Sequence, residues 1–138
     1  MKELLLDANV LVRFLVQDDP KQSPAATALF AKAECGDVRL HLDALVVAET
    51  VYVLIGRYGR SRAEVASVLL ALIQNAGIET MELDMVTDAL QRFAAFNVDF
   101  SDAWLAARGA RLHRPVASFD RDLDKFKDIK RLEPAASS

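Results

Sequence analysis

Apolar residues fall along this chain in two alternating rhythms. Short segments at residues 3–6, 38–42, 78–83, 115–119 and 130–132 each predict a strand, those at 3–6 and 115–119 being the most apolar. Between them the apolar positions recur at helical spacing. Val10, Leu11, Phe14 and Leu15 predict a helix from about Asn9 to Gln17, which the turn chemistry of "QDDP" closes. Ala26, Leu29, Phe30 and Ala33 predict a second helix over 23–35, with Gly36 as its C-cap. Residues 43–58 are apolar nearly all round and predict a mostly buried helix. Ser61, with Glu64 three residues on, is a capping box for a helix running to about Asn75 and stopped by Gly77. Asp84 is placed to cap the next helix, which carries Val86, Ala89, Leu90, Phe93 and Phe96. Residues 101–112 form an alanine-rich helix, and a short one follows around Leu123–Phe126.

Strands separated by helices predict an α/β fold with a parallel sheet and helices on both faces. In such sheets, ligands bind outside the carboxyl ends of the strands. Asp7, at the end of "LLLD", and Asp120, at the end of "PVASFD", both follow an apolar run directly. The architecture is therefore expected to bring both to one edge.

Composition narrows the class. The chain has 138 residues and is 52% hydrophobic, which suits one domain with a single core. We expect that domain over residues 1–133 and a disordered tail over 134–138. The single cysteine, Cys35, excludes an internal disulfide and fits a reducing compartment. The apolar run after Met1-Lys2-Glu3 is too short for a signal peptide, and no run approaches the ~18 residues of a membrane span. The expectation is a cytoplasmic protein without a membrane contact. A net charge of −3 argues against nucleic-acid binding by bulk charge, so any such contact must be local.

The candidate chemistry is acidic. Asp7 is placed either to cap the following helix or to hold a cation, and Asn9 supports both readings. Glu49 lies within "ALVVAETVYVLI", where an uncompensated charge is costly if buried; an exposed stripe or an ion pair is the alternative. Asp99 and Asp102 stand at a helix start, with Ser101 competing for the N-cap. Asp120, Asp122 and Asp124 alternate in "SFDRDLDKF", where the bland reading is a solvated face. Several carboxylates share a site only with a counter-charge, and all-oxygen ligands point to Mg²⁺ or Mn²⁺. Zinc fits poorly: His41, His113 and Cys35 show no ligand spacing, and neither histidine sits in a nucleophile motif.

The segments "LLLDANVLVRFLVQDDP", "VVAETVYVL", "DFSDAWLA" and "VASFDRDLDKF" resemble, in this order, the motifs of PIN-domain nucleases, and most closely those of the VapC ribonuclease toxins of toxin–antitoxin pairs. The likeness covers about residues 3–132. It implies a PIN-like three-layer sandwich whose central parallel sheet has four to five strands. It also implies an Mg²⁺- or Mn²⁺-dependent endoribonuclease whose catalytic acids are Asp7, Glu49, Asp102 and Asp120. Asp122 is then an auxiliary ligand and Asp99 a helper. Glu49 completes the cage or positions the attacking water. One departure is Ala8, where many members carry Thr. Asn9 and Arg13 become substrate-binding candidates, with the Arg57, Arg60 and Arg62 group around Tyr58 as a further one. The resemblance implies an antitoxin that inserts into the acidic site. A homodimer is expected from the apolar 43–75 region. Two other readings compete: a partner-binding module that does not cleave, and a haloacid-dehalogenase-type phosphatase with Asp7 as nucleophile. Asn9, where that phosphatase needs a second aspartate, counts against the latter.

Overall fold

The segment VRLHL forms β2 (Val38–Leu42), and its side chains alternate strictly: Val38, Leu40 and Leu42 are buried, while Arg39 and His41 are half-buried. That period of two is what a strand in register requires. In the computed structural model, which describes residues 1–136, β1 (Lys2–Leu5) pairs parallel with one side of β2 and β3 (Ile78–Thr80) with the other. The sheet order is β1-β2-β3.

These strands belong to the first of two compact units, Met1–Leu83 and Asp84–Ser138. Four helices accompany them: α1 (Ala8–Leu15), α2 (Gln22–Glu34), α3 (Ala44–Gly56) and α4 (Arg62–Leu72). Two of the starts have side-chain N-caps, Asp43 and Ser61, and at α2 the first N–H is taken by Asp19, two residues before the N-cap position. Asp19 accepts from the Gln22 N–H at 2.7 Å, Asp43 from the Val46 N–H at 3.0 Å, and Ser61 from the Glu64 N–H at 3.1 Å. Phe14 and Phe30 stack at 4.0 Å and join α1 to α2. Gly77 turns the chain into β3 with φ +85°, and a Cβ there would collide with the Ala33 carbonyl. Only glycine meets both demands.

The second unit holds α5 from Asp84 onward (the helix spans Leu83–Ala95), α6 (Phe100–Leu112), β4 (Val116–Ala117), a 3-10 turn (Arg121–Lys125) and β5 (Arg131–Leu132). Along α6, Ala103, Ala106, Ala107 and Gly109 are buried small residues, which let the backbone following the helix approach closely. Leu123 and Phe126 anchor the 3-10 turn in the core. Arg92 lies 5.4 Å over the Phe126 ring and pairs with Asp88 and Asp128.

Several expectations need correction. The fold is α/β, with six α-helices and parallel strands among the described residues, but the five strands described divide into a sheet of three and a separate parallel pair, β4-β5. The run 115–119 yields only two paired residues. Pro115 has no N–H to give, and after Ser118 donates to the Leu132 carbonyl its own Oγ accepts from Asp120. The strand therefore ends before Phe119, and Asp120 does not follow it directly. β1 is an edge strand rather than a buried one: Leu6 is buried, but Leu5 points to the opposite face and is 91% exposed. Helix α3 is not buried all round. Leu45, Glu49 and Tyr52 form an exposed stripe at helical spacing. Asp84 lies inside the first turn of α5, where its charge suits the helix dipole without capping. Of the expected tail, residues 134–136 carry no regular structure, and 137–138 lie outside the described residues. No described helix is long and apolar enough to cross a membrane.

Candidate metal centre

Three aspartates of the second unit meet. Asp102 sits in the first turn of α6, which opens at Asp99: the Asp99 carbonyl accepts from the Asp102 and Ala103 N–H groups, both at 3.1 Å. The Asp99 side chain makes no cap bond, and Ser101, the expected rival for the cap, lies exposed within the helix. Asp102 shares the buried face of α6 with Ala103 and Ala106, which carries its carboxylate inward. Asp120 is turned by its own N–H, which donates to Ser118 Oγ at 2.9 Å. It then caps the 3-10 turn, accepting from the Asp122 N–H at 2.9 Å. Asp122 is half-buried and pairs with Lys125 at 3.2 Å. Carboxylate oxygens of Asp102, Asp120 and Asp122 all lie within 4.8 Å of one another.

The electrostatics of this group are strained toward neutralisation. Asp102 is only 9% exposed. Burial pushes its carboxyl up to about 6, and the charges of Asp120, Asp99 and Asp122, with a hydrogen bond to Asp120, push in the same direction. The donors are hard oxygens without sulfur or imidazole, and three converging carboxylates carry more negative charge than they hold comfortably. Both features fit a Mg²⁺ or Mn²⁺ ion, and Asp102, Asp120 and Asp122 are the residues that would hold it. His41 is engaged elsewhere, 2.9 Å from Glu3.

The third aspartate of the alternating run is not part of this group. Asp124 receives both arms of the Arg131 guanidinium, at 2.9 and 3.1 Å, and this bond holds its carboxyl below the usual range. Arg131 also donates to the Ser118 carbonyl at 3.1 Å. One largely buried guanidinium thus grips both ends of the segment that bears Asp120 and Asp122. Sequence reasoning missed Arg131, because nothing in "KRLEP" distinguishes it from a surface cation.

The remaining candidates lie in the first unit. Asp7 occupies the N-cap position of α1, and its carbonyl accepts from the Leu11 N–H at 3.2 Å. Its exposed carboxylate makes no cap bond. Glu49 is exposed on α3, so the burial cost attached to its apolar surroundings does not arise. Asn9, Arg13 and Glu49 line an open cleft of about 470 Å³ together with Tyr52, Arg57 and Tyr58. Arg13 is braced there by Gln22 at 2.8 Å, Asp18 at 3.2 Å and the Tyr58 hydroxyl at 3.2 Å.

The PIN domain family model matches residues 4–129. The chain belongs to the PIN domain family, whose members are generally metal-dependent nucleases. Comparison with curated proteins gives no match.

Proposed function

We propose that the chain is an Mg²⁺- or Mn²⁺-dependent endoribonuclease of the VapC kind, the toxin half of a toxin–antitoxin pair acting in the cytoplasm. The observation that carries the proposal is the approach of Asp102, Asp120 and Asp122 to within 4.8 Å, with Asp102 buried. A bound divalent cation supplies charge stabilisation to the phosphodiester and lowers the pKa of water at the site. The protein supplies the orientation. Asp102 is fixed by the first turn of α6, and Asp120 by Ser118 and by the turn it caps. Capping uses one carboxylate oxygen of Asp120 and leaves the other for the cluster.

We assign Asp7 and Glu49 to the same catalysis on the order of the family motifs. Two features support them: the Asp7 carboxylate is not consumed by capping, and Glu49 is accessible to accept a proton from water. Asn9 and Arg13 line the cleft and are kept as substrate contacts, with Arg13 also bracing Tyr58. The working unit in this reading is one domain over residues 1–133, paired as a homodimer and silenced by an antitoxin.

Incubation of the purified chain with mixed cellular RNA, in Mg²⁺, in Mn²⁺ and in EDTA, tests the activity. Discrete fragments that require metal are expected. RNA left intact under all three conditions overturns the endoribonuclease reading, and a neighbouring gene without a small partner protein removes the toxin assignment alone.

A further inference from the structure

We propose that the cleft between α1 and α3 is a stacking subsite for an unpaired base of single-stranded RNA, with Tyr52 as platform and Arg57 as phosphate partner. The inference rests on the endoribonuclease reading and adds the residues that would hold a base next to the site. Tyr52 is 81% exposed, while Val51 beside it and Leu54 two positions on are buried. An aromatic ring held in solvent by a well-packed helix is an open face. The chain has only two tyrosines, and both line this cleft. The second is fixed: Arg13 holds the Tyr58 hydroxyl at 3.2 Å and is itself tied to Gln22 and Asp18.

The charge is placed to match. The Arg57 guanidinium lies 5.6 Å from the Tyr58 ring centroid and is exposed. Among the described residues it makes no ion pair with a carboxylate. It is thus a cation at the mouth of an aromatic cleft with its charge available to a phosphate. Asn9 and Glu49 offer an amide and a carboxylate on the walls, the groups that read base edges. Glu49 precedes Tyr52 by three residues, so a base stacked on Tyr52 lies about one helical turn from a proposed catalytic acid. A cleft of about 470 Å³ lies within the range of sites for small ligands. Stacking also answers the charge problem. A chain of net charge −3 gains little from counterion release, but base–aromatic stacking does not depend on bulk charge.

The test is fluorescence anisotropy of a labelled single-stranded RNA in EDTA, where cleavage does not interfere. Tyr52→Ala should weaken binding about tenfold, Tyr52→Phe should stay near wild type because the ring is kept, and Arg57→Ala should weaken binding and flatten its salt dependence. The same sequence as a duplex should bind far more weakly. Equal affinity of Tyr52→Ala and wild type overturns the subsite. So does a Tyr52→Ala protein whose mass falls from dimer to monomer while its RNA affinity is unchanged, which assigns the stripe to a second copy. A wild type that cleaves RNA with metal while Tyr52→Ala keeps the same KM removes the subsite alone. A chain that binds single strands through Tyr52 yet never cleaves removes the endoribonuclease reading and leaves the subsite standing.

Discussion

Replacing Asp102 with asparagine should stabilise the metal-free protein and abolish its response to metal. The Asp102 carboxyl is raised from 3.8 to about 6 in the folded protein, by burial first and then by Asp120, Asp99 and Asp122. The unfolded chain has no such environment and titrates near the ordinary value. Between roughly pH 4 and pH 6 the folded state keeps a proton that the unfolded state has released. Folding stability therefore falls as pH rises through this window, by about 1.4 kcal/mol per pH unit. Above pH 6 the loss is complete and amounts to about 3 kcal/mol relative to acid. Asparagine does not ionise, and its amide donates to Asp120 where the shared proton stood. In EDTA near pH 7.5 the Asp102→Asn protein should gain about 2–3 kcal/mol, a rise on the order of 5–10 °C in Tm. At about pH 4 the two proteins should melt together. Mn²⁺ should then raise the Tm of wild type and leave the variant unchanged. Thermal melts at three pH values, with EDTA and with Mn²⁺, give all of these readings. A variant less stable than wild type at pH 7.5 in EDTA, or stabilised by Mn²⁺ to the same extent, would refute the reasoning.

Three further outcomes are expected. Asp7→Asn should lower the RNA cleavage rate at least about a hundredfold while shifting urea stability by under about 1 kcal/mol, because asparagine caps as well as aspartate and no cap bond is lost. Gly77→Ala should lose at least about 2 kcal/mol in urea titration, since φ +85° and the Ala33 carbonyl both oppose a Cβ. Arg131→Lys should weaken Mn²⁺ binding about tenfold by calorimetry: an ammonium cannot hold Asp124 with two arms and the Ser118 carbonyl as well.

Local patterns were legible from the amino acids. The segment 38–42 was read as a strand and matches β2 residue for residue, and the Ser61–Glu64 spacing marked the start of α4, because both depend on near neighbours. Pairing was not legible. Five strand segments were identified, but whether β4 and β5 extend one sheet or pair with each other depends on contacts distant in sequence. Burial failed for a related reason. An apolar run reads as buried, yet nothing in ALVVAETVYVLI says which stripe is covered, and Glu49 lies on the uncovered one. In the acidic run, position alone does not separate ligand from structural acid. Asp124 was removed by Arg131, seven residues on, while Asp120 and Asp122 were left facing Asp102. Asp7 was ambiguous between cap and ligand, and its backbone takes the cap position while its carboxylate does not cap.

Asp102, Asp120 and Asp122 are proposed to hold the divalent cation that drives RNA hydrolysis. The most direct test is the cleavage rate of one defined single-stranded RNA by wild type and by Asp120→Asn, followed through EDTA removal and Mn²⁺ readdition. Wild-type cleavage is expected to stop in EDTA and return with Mn²⁺, and Asp120→Asn is expected to cleave in neither condition. Cleavage that persists in EDTA, or that Asp120→Asn matches, would contradict this assignment.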